Sequence, residues 1–232
     1  MRLVALTHVP FEGPGHFAAW AKARGHTLST LELFDGDPLP TLRDFDGLFV
    51  MGGPMGAYDD DKYSWMAPEK ELLGRVMAAG MPVVGVCLGA QLLAKALGAQ
   101  VGKSLQREVG FFPVTRTPHG QDTHLIRDFP DEFSPLHWHG DAFDIPRHGV
   151  HLFHSPGCPN QGFALGEHVL GLQFHLEMTA DGLDAILANA QEDLRPGTYI
   201  QTEAAMREDA KTRLPSLHKL TEALLDRFFL DD

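Results

Sequence analysis

Cysteine is scarce in this chain, with two in 232 residues, Cys87 and Cys158. Two thiols cannot build a disulfide framework, and neither has a second cysteine close enough for a metal-binding pair. Long apolar runs are also missing, and no stretch approaches the ~20 residues that span a bilayer. The segment MRLVALTHVPFEGPG carries one Arg and a short apolar run, without the longer core and small-residue cleavage site of a signal peptide. A cytoplasmic location is therefore expected. Basic residues are outnumbered, 19 Lys and Arg against 31 Asp and Glu, for a net charge of −12. This balance argues against nucleic acid or an anionic membrane as partner, because both select a basic surface. Internal repeats and low-complexity segments are absent.

What remains is an ordinary globular composition, 44% hydrophobic and 22% charged. The length supports an ample core without covalent staples. Apolar runs at Arg2–His8, Asp46–Met51 and Pro82–Val86 read as buried strands, and His26–Leu33 alternates like one. Helical spacing covers Gly15–Arg24, Ala67–Ala79 and Leu88–Leu97. Strands alternating with helices predict right-handed crossovers and a parallel sheet. After Gly98 the pattern changes. Val109–Val114 looks like part of a hairpin or mixed sheet, and His151–Ser155, Gly162–Leu165 and Val169–Phe174 read as short strands. Helices are predicted over Thr179–Gln191, with Thr179 as N-cap, and over Leu217–Phe229. Residues 195–215 are charged and weakly periodic, surface structure without an assigned form.

The chemistry concentrates in PVVGVCLGAQ, residues 82–91. A buried strand ends in Cys87, glycines stand two residues to either side, and a helix follows at once. This is the nucleophile-elbow spacing, with Cys in place of Ser. Gly85 and Gly89 would give the tight turn its room, and the helix N-terminus would favour a thiolate and aim N–H groups at an oxyanion. A buried structural cysteine fits the same short pattern. A nucleophilic thiol needs a base, and the base an orienting acceptor. His175 and Glu177 in GLQFHLE lie two apart, hence on one side of an extended chain. Polar residues at a strand end would read the same. Among other groups, Asp59–Asp61 reads as a solvated loop rather than a metal site. His137 and His139 in HWHGDAF could ligate a metal, but no Cys or third His is suitably spaced. They read instead as a polar mouth to the site. Cys158 sits in a turn with no helix behind it.

These segments together resemble the class I, or triad, glutamine amidotransferases. GVCLGAQLLA is similar to that family's nucleophile segment and GLQFHLE to its His-x-Glu segment. Gly52-Gly53-Pro54 after a strand is similar to its oxyanion loop. The three occur in the family's order, over roughly residues 1–190. HWHGDAF and PNQGFALG further resemble stand-alone proteins similar to the glutaminase part of GMP synthetase, a subgroup that includes plant γ-glutamyl peptidases. The resemblance implies an α/β, flavodoxin-like three-layer fold with a central, mostly parallel sheet. It implies one such domain over residues 1–232, with a helical C-terminal extension from 191. Cys87 is implied as nucleophile, His175 as base and Glu177 as its orienter, with an oxyanion hole from the N–H groups of Gly53 and Leu88. Gly52, Gln91, Glu108 and His139 are implied near the substrate, Gln91 at its amino-acid end, while a plain strand-edge carboxylate fits Glu108 equally well. The expected reaction is hydrolysis of the glutamine side-chain amide through a thioester, and it needs neither cofactor nor metal. The expected partner is glutamine or a γ-glutamyl small molecule. About 55 residues follow Glu177, too few for an acceptor domain, so an ammonia-accepting synthase is expected as a separate subunit if there is one. A non-catalytic regulatory protein on the same fold is the rival reading.

Overall fold

The apolar runs of the first hundred residues do pair in parallel. A computed structural model describes residues 1–230. It begins with β1 (Arg2–Thr7), α1 (Gly15–Ala23), β2 (Thr27–Glu32), β3 (Gly47–Val50), α2 (Met66–Ala78), β4 (Val83–Val86) and α3 (Leu88–Ala96). The middle holds β5 (Val101–Phe111), β6 (Val114–Arg116), α4 (Pro118–Gln121), β7 (Glu132–Phe133), β8 (Leu136–Phe143) and β9 (Val150–His154). It closes with β10 (Gly162–Leu165), β11 (Val169–Leu172), α5 (Ala180–Asn189) and α6 (Glu203–Leu230).

Nine strands form one sheet in the order β2-β1-β3-β4-β11-β10-β9-β6-β7. The five from β2 to β11 run parallel. Beyond β11 the sheet continues antiparallel. The parallel strands must bury both faces, which is why LFV and VVGV are apolar without alternation. Leu3 and Ala5 of β1 face α1, α5 and α6, while Val4 and Leu6 face α2 and α3. Helices on both faces make this the expected three-layer, flavodoxin-like α/β fold. Separately, β5 pairs antiparallel with β8 as a two-stranded ribbon. His137–Asp141, expected as a polar stretch at the mouth of the site, is thus strand, because it finds a partner some thirty residues earlier in the chain.

Register sets the site. Val86 at the end of β4 lies beside Leu172 at the end of β11, and Val50 of β3 beside Gly85. The loops leaving these three strands therefore emerge at one edge, the carboxyl end, where open parallel sheets present their ligand sites. They carry Gly52–Gly53, Cys87 and His175–Glu177.

The C-terminal region differs from the expectation. Residues 203–230 are one helix of 28 residues that passes through Pro215. Its charged surface and internal proline hide the periodicity that the sequence shows only from Leu217. The last two residues of the predicted extension lie outside the described ones. α6 is anchored to the rest of the chain. Thr221 Oγ1 donates to Leu176 O at 2.9 Å, and His218 Nε2 reaches Met178 O at 2.8 Å. Asp226 accepts from Trp20 and Arg24 of the α1 region. The helix thus holds the backbone on either side of Glu177. Thr221→Val keeps the shape and leaves the buried Leu176 carbonyl short of a donor. It is expected to lower unfolding free energy by about 1–3 kcal/mol in urea denaturation.

Candidate active site

Cys87 joins β4 to α3 with φ 51° and ψ −109°. A non-glycine residue there stores strain of about 1–3 kcal/mol, held by its surroundings. The two glycines explain how. A Cβ on Gly85 would lie 2.6 Å from the Gly89 backbone, and one on Gly89 would overlap the Val50 carbonyl of β3. Only hydrogen fits where strand and helix pass this closely. The Cys87 N–H donates to Leu172 O at 2.8 Å, so the elbow is tied to the strand that delivers His175.

Behind the sulfur, His175 Nδ1 and Glu177 Oε1 are 2.6 Å apart, and both side chains are buried. The ring's other nitrogen, Nε2, has no hydrogen-bond partner among the described residues. Burial opposes the charged imidazole, but the Glu177 carboxylate and Cys87 beside it outweigh this, holding His175 well above its ordinary pKa. Burial pushes the Cys87 thiol up, while His175 and the Leu88 N–H pull against that rise. In the resting geometry the thiol reaches the Trp138 carbonyl at 3.6 Å. The three groups expected from the sequence are brought together by the two adjacent parallel strands.

A buried pair unforeseen in the sequence sets the glycine loop. His8, just beyond β1, contacts Gly52 O through Nδ1 at 3.0 Å and Glu69 of α2 through Nε2 at 3.0 Å. Burial disfavours its charge, yet Glu69 wins and His8 is raised. A charged ring donates from both nitrogens, which fits both contacts. The 52–53 peptide is trans, so holding its carbonyl toward His8 turns the Gly53 N–H the opposite way. Gly53 packs against the Leu88 side chain and lines the cavity.

That cavity has a volume of about 740 Å³. Cys87, Gly53, Gln91 and His139 line it, with His175, Glu177, Leu88 and Gly52 behind this wall. Gln91 spends its amide hydrogens on Asp141 O and Gln173 Oε1. Asp141 in turn binds Tyr58 at 2.8 Å and Lys103 at 2.6 Å. Glu108 does not reach the cavity. It stands opposite His139 in the β5–β8 ribbon, enclosed by His139, Ser155 and Gln161. Burial works against its charge, but the His139, His137 and Ser155 contacts keep its pKa low. Glu108, His137 and His139 each bring one potential metal-ligand atom within 4.8 Å of the others. The third ligand that sequence spacing lacked thus comes from the neighbouring strand. The Gln161 amide nitrogen enters this group, 2.6 Å from Glu108 Oε2 and 3.4 Å from His137 Nδ1. Burial holds His137 down to about 3, so its ring is neutral and Nδ1 can accept from that amide. Asp59 pairs with Lys62 where the loop lines the cavity, Asp60 is exposed and pairs with Lys70 of α2, and Cys158 is buried away from the cavity.

A family model described as glutamine amidotransferase class-I matches residues 22–191. The chain belongs to this family. It is similar to the glutamine amidotransferase-like protein YfeJ of Salmonella typhimurium, 34% identical over 89% of this chain and 90% of that protein. A GMP synthase (glutamine-hydrolyzing) of Streptococcus pneumoniae is 31% identical over 68% of this chain, but the match spans only 28% of that longer protein. Among solved structures, a glutamine amidotransferase from Thermotoga maritima superposes with a TM-score of 0.90 at 31% identity, covering 98% of this chain and 97% of that one. The sequence resemblance to the class I family is thus confirmed over most of the chain. Among the described residues, no helix is long and apolar enough to cross a membrane.

Two outcomes follow from this geometry. Gly89→Ala forces a methyl into the Val50 carbonyl and is expected to destabilise the protein by about 1–3 kcal/mol in thermal unfolding, with loss of Cys87 reactivity. Alkylation of Cys87 by iodoacetamide is expected to accelerate as pH rises, with its midpoint above the ordinary thiol range. His175→Ala removes the group that pulls the thiol down and should slow alkylation at a fixed pH near 8. An unchanged rate in that variant would mean that ring and sulfur are not coupled.

Proposed function

We propose that this protein is a Cys-dependent amidohydrolase that cleaves the side-chain amide of glutamine or of a γ-glutamyl compound. The observation that carries the reading is the strained Cys87 at the wall of a cavity, with the buried His175–Glu177 pair directly behind it. The Cys87 sulfur attacks the amide carbon, its proton passing to His175 Nε2. The Gly53 and Leu88 N–H groups receive the oxyanion, an interaction whose loss typically costs ~3–4 kcal/mol. His175 returns the proton to the leaving nitrogen as the C–N bond breaks, leaving a thioester. Water then gives a proton to His175 and attacks the acyl carbon, the C–S bond breaks with that proton passing from His175 to the Cys87 sulfur, and glutamate departs. Glu177 keeps the ring oriented and offsets its charge. Gln91, Gly52 and His139 shape the place for the amino-acid end of the substrate. Glu108 acts there only through His139, since its own carboxylate is enclosed.

Cavity size favours a stand-alone hydrolase of γ-glutamyl compounds. A volume of about 740 Å³ is in the range of sites for ligands considerably larger than glutamine. The match to the Salmonella protein spans 90% of that protein's length, against 28% of the Streptococcus GMP synthase. The other version, ammonia delivery to a separate synthase subunit, rests on the likeness to part of the Streptococcus GMP synthase. Incubation with glutamine and with γ-glutamyl peptides, reading glutamate and ammonia or free peptide, is expected to give release that Cys87→Ser abolishes. A glutamine-like electrophile should label Cys87 in peptide mapping. Labelling of Cys158 alone, or no release from any compound, would return the protein to the non-catalytic class.

A further inference from the structure

The cavity is lined by five carboxylates: Glu12, Asp59, Asp141, Glu192 and Asp193. Three are committed to other groups. Asp59 accepts from Gly56 N–H and Lys62, Asp141 from Tyr58 and Lys103, and Asp193 from Arg107 and Trp138. Glu192 is exposed on the surface. Glu12 is different. It lies in the loop between β1 and α1, is half-buried, and its carboxylate meets no hydrogen-bond donor among the described residues. The loop that carries it is pinned. Gly15, at φ +46°, packs directly on the Glu177 carbonyl, which also accepts from His16 N–H at 2.7 Å.

The position of Glu12 relative to the chemistry is marked by Gly52. A Cβ built on Gly52 would overlap Glu12 Oε2 and lie 3.3 Å from His175 Cε1. The carboxylate oxygen and the His175 ring are therefore both neighbours of this one point. In the reaction proposed above, His175 delivers a proton to the departing nitrogen, so the nitrogen must come within hydrogen-bond reach of that ring. Whatever borders His175 on the cavity side borders the leaving group.

Resting on that reading, we infer that Glu12 is a further catalytic residue, whose carboxylate accepts a hydrogen bond from the N–H of the scissile amide. The bond strengthens as His175 protonates the nitrogen, because the departing amine gains positive charge opposite an anion. No covalent bond is made to Glu12. The C–N bond electrons go to nitrogen, the proton comes from His175 Nε2, and Glu12 holds the N–H that the substrate already carries. The assignment gives the enzyme a preference by leaving group. Amides and γ-glutamyl peptides present an N–H to Glu12, whereas an ester presents only lone pairs. Burial raises the Glu12 pKa, with Glu177 and Asp193 adding to the rise and His175 and His8 opposing it, and Glu12 in turn raises the Cys87 thiol.

The test compares wild type and Glu12→Gln on glutamine, γ-glutamylglycine and glutamate γ-methyl ester, all of which pass through the same thioester. The variant is expected to lose at least about tenfold in kcat/KM on both amides while the ester rate is unchanged or higher. Cys87 alkylation by iodoacetamide should become faster at a given pH, since a negative neighbour has been removed. A merely structural role would instead lower amide, ester and alkylation rates together. Equal losses on amides and ester, undiminished amide turnover, or slower alkylation would each overturn the assignment. Wild-type protein inert toward all three compounds would mark the failure of the hydrolase reading itself, and the role of Glu12 would fall with it.

Discussion

The contact on which the rest depends is the hydrogen bond from Cys87 N–H to Leu172 O, with the parallel register of β4 and β11 that produces it. Parallel neighbours end side by side, so a residue just past one strand and residues just past the other are neighbours without further design. The elbow spends that advantage on a strained backbone, and the strain is tolerable because Gly85 and Gly89 let α3 sit tight against β3 and β4. The third strand of the trio then brings the glycine loop to the same edge. Three segments separated by more than thirty residues of chain thus converge through one regular arrangement of backbone hydrogen bonds.

Two buried ionic pairs complete this frame, and both are costly by themselves. Burying a His and a carboxylate together returns little net stability, while removing one partner leaves a stranded charge. His175–Glu177 and His8–Glu69 each sit where the backbone leaves the sheet. One orients a ring toward the sulfur. The other fixes the Gly52 carbonyl. Their cost is better understood as spent on direction than on stability, because neither pair adds apolar burial and each fixes a specific atom.

Much of this was legible in the sequence, and the reasons are local. Cys87, Gly85 and Gly89 announce themselves within five residues because the elbow is a local backbone problem. His175 and Glu177 share a strand end and read as one unit. The parallel strands were visible because burial on both faces leaves uninterrupted apolar runs. What escaped depends on distant partners. His8 and Glu69 are 61 residues apart, and nothing near either one signals the other, although His8 sits at a strand end on the same sheet edge as Cys87. Glu12 sits in a loop whose path is dictated by contact with the Glu177 backbone. Glu108 was placed beside the substrate, but the register of β5 with β8 turns it into an enclosed polar cluster. Residues 203–216 resisted reading because Pro215 and a dense run of charges, several of them paired along the helix, mask its apolar face.

The anchoring of α6 has a consequence for how the protein comes into being. Thr221 and His218 hold the carbonyls of Leu176 and Met178, and the same helix braces α1 through Asp226. α6 follows Cys87, His175 and Glu177 in the chain and is synthesised after them. A nascent chain that already displays Cys87, His175 and Glu177 outside the ribosome therefore still lacks the brace that fixes the backbone between them. The carbonyls on either side of Glu177 gain their side-chain partners only when this last helix docks, so closing the fold and fixing that stretch of backbone are one event.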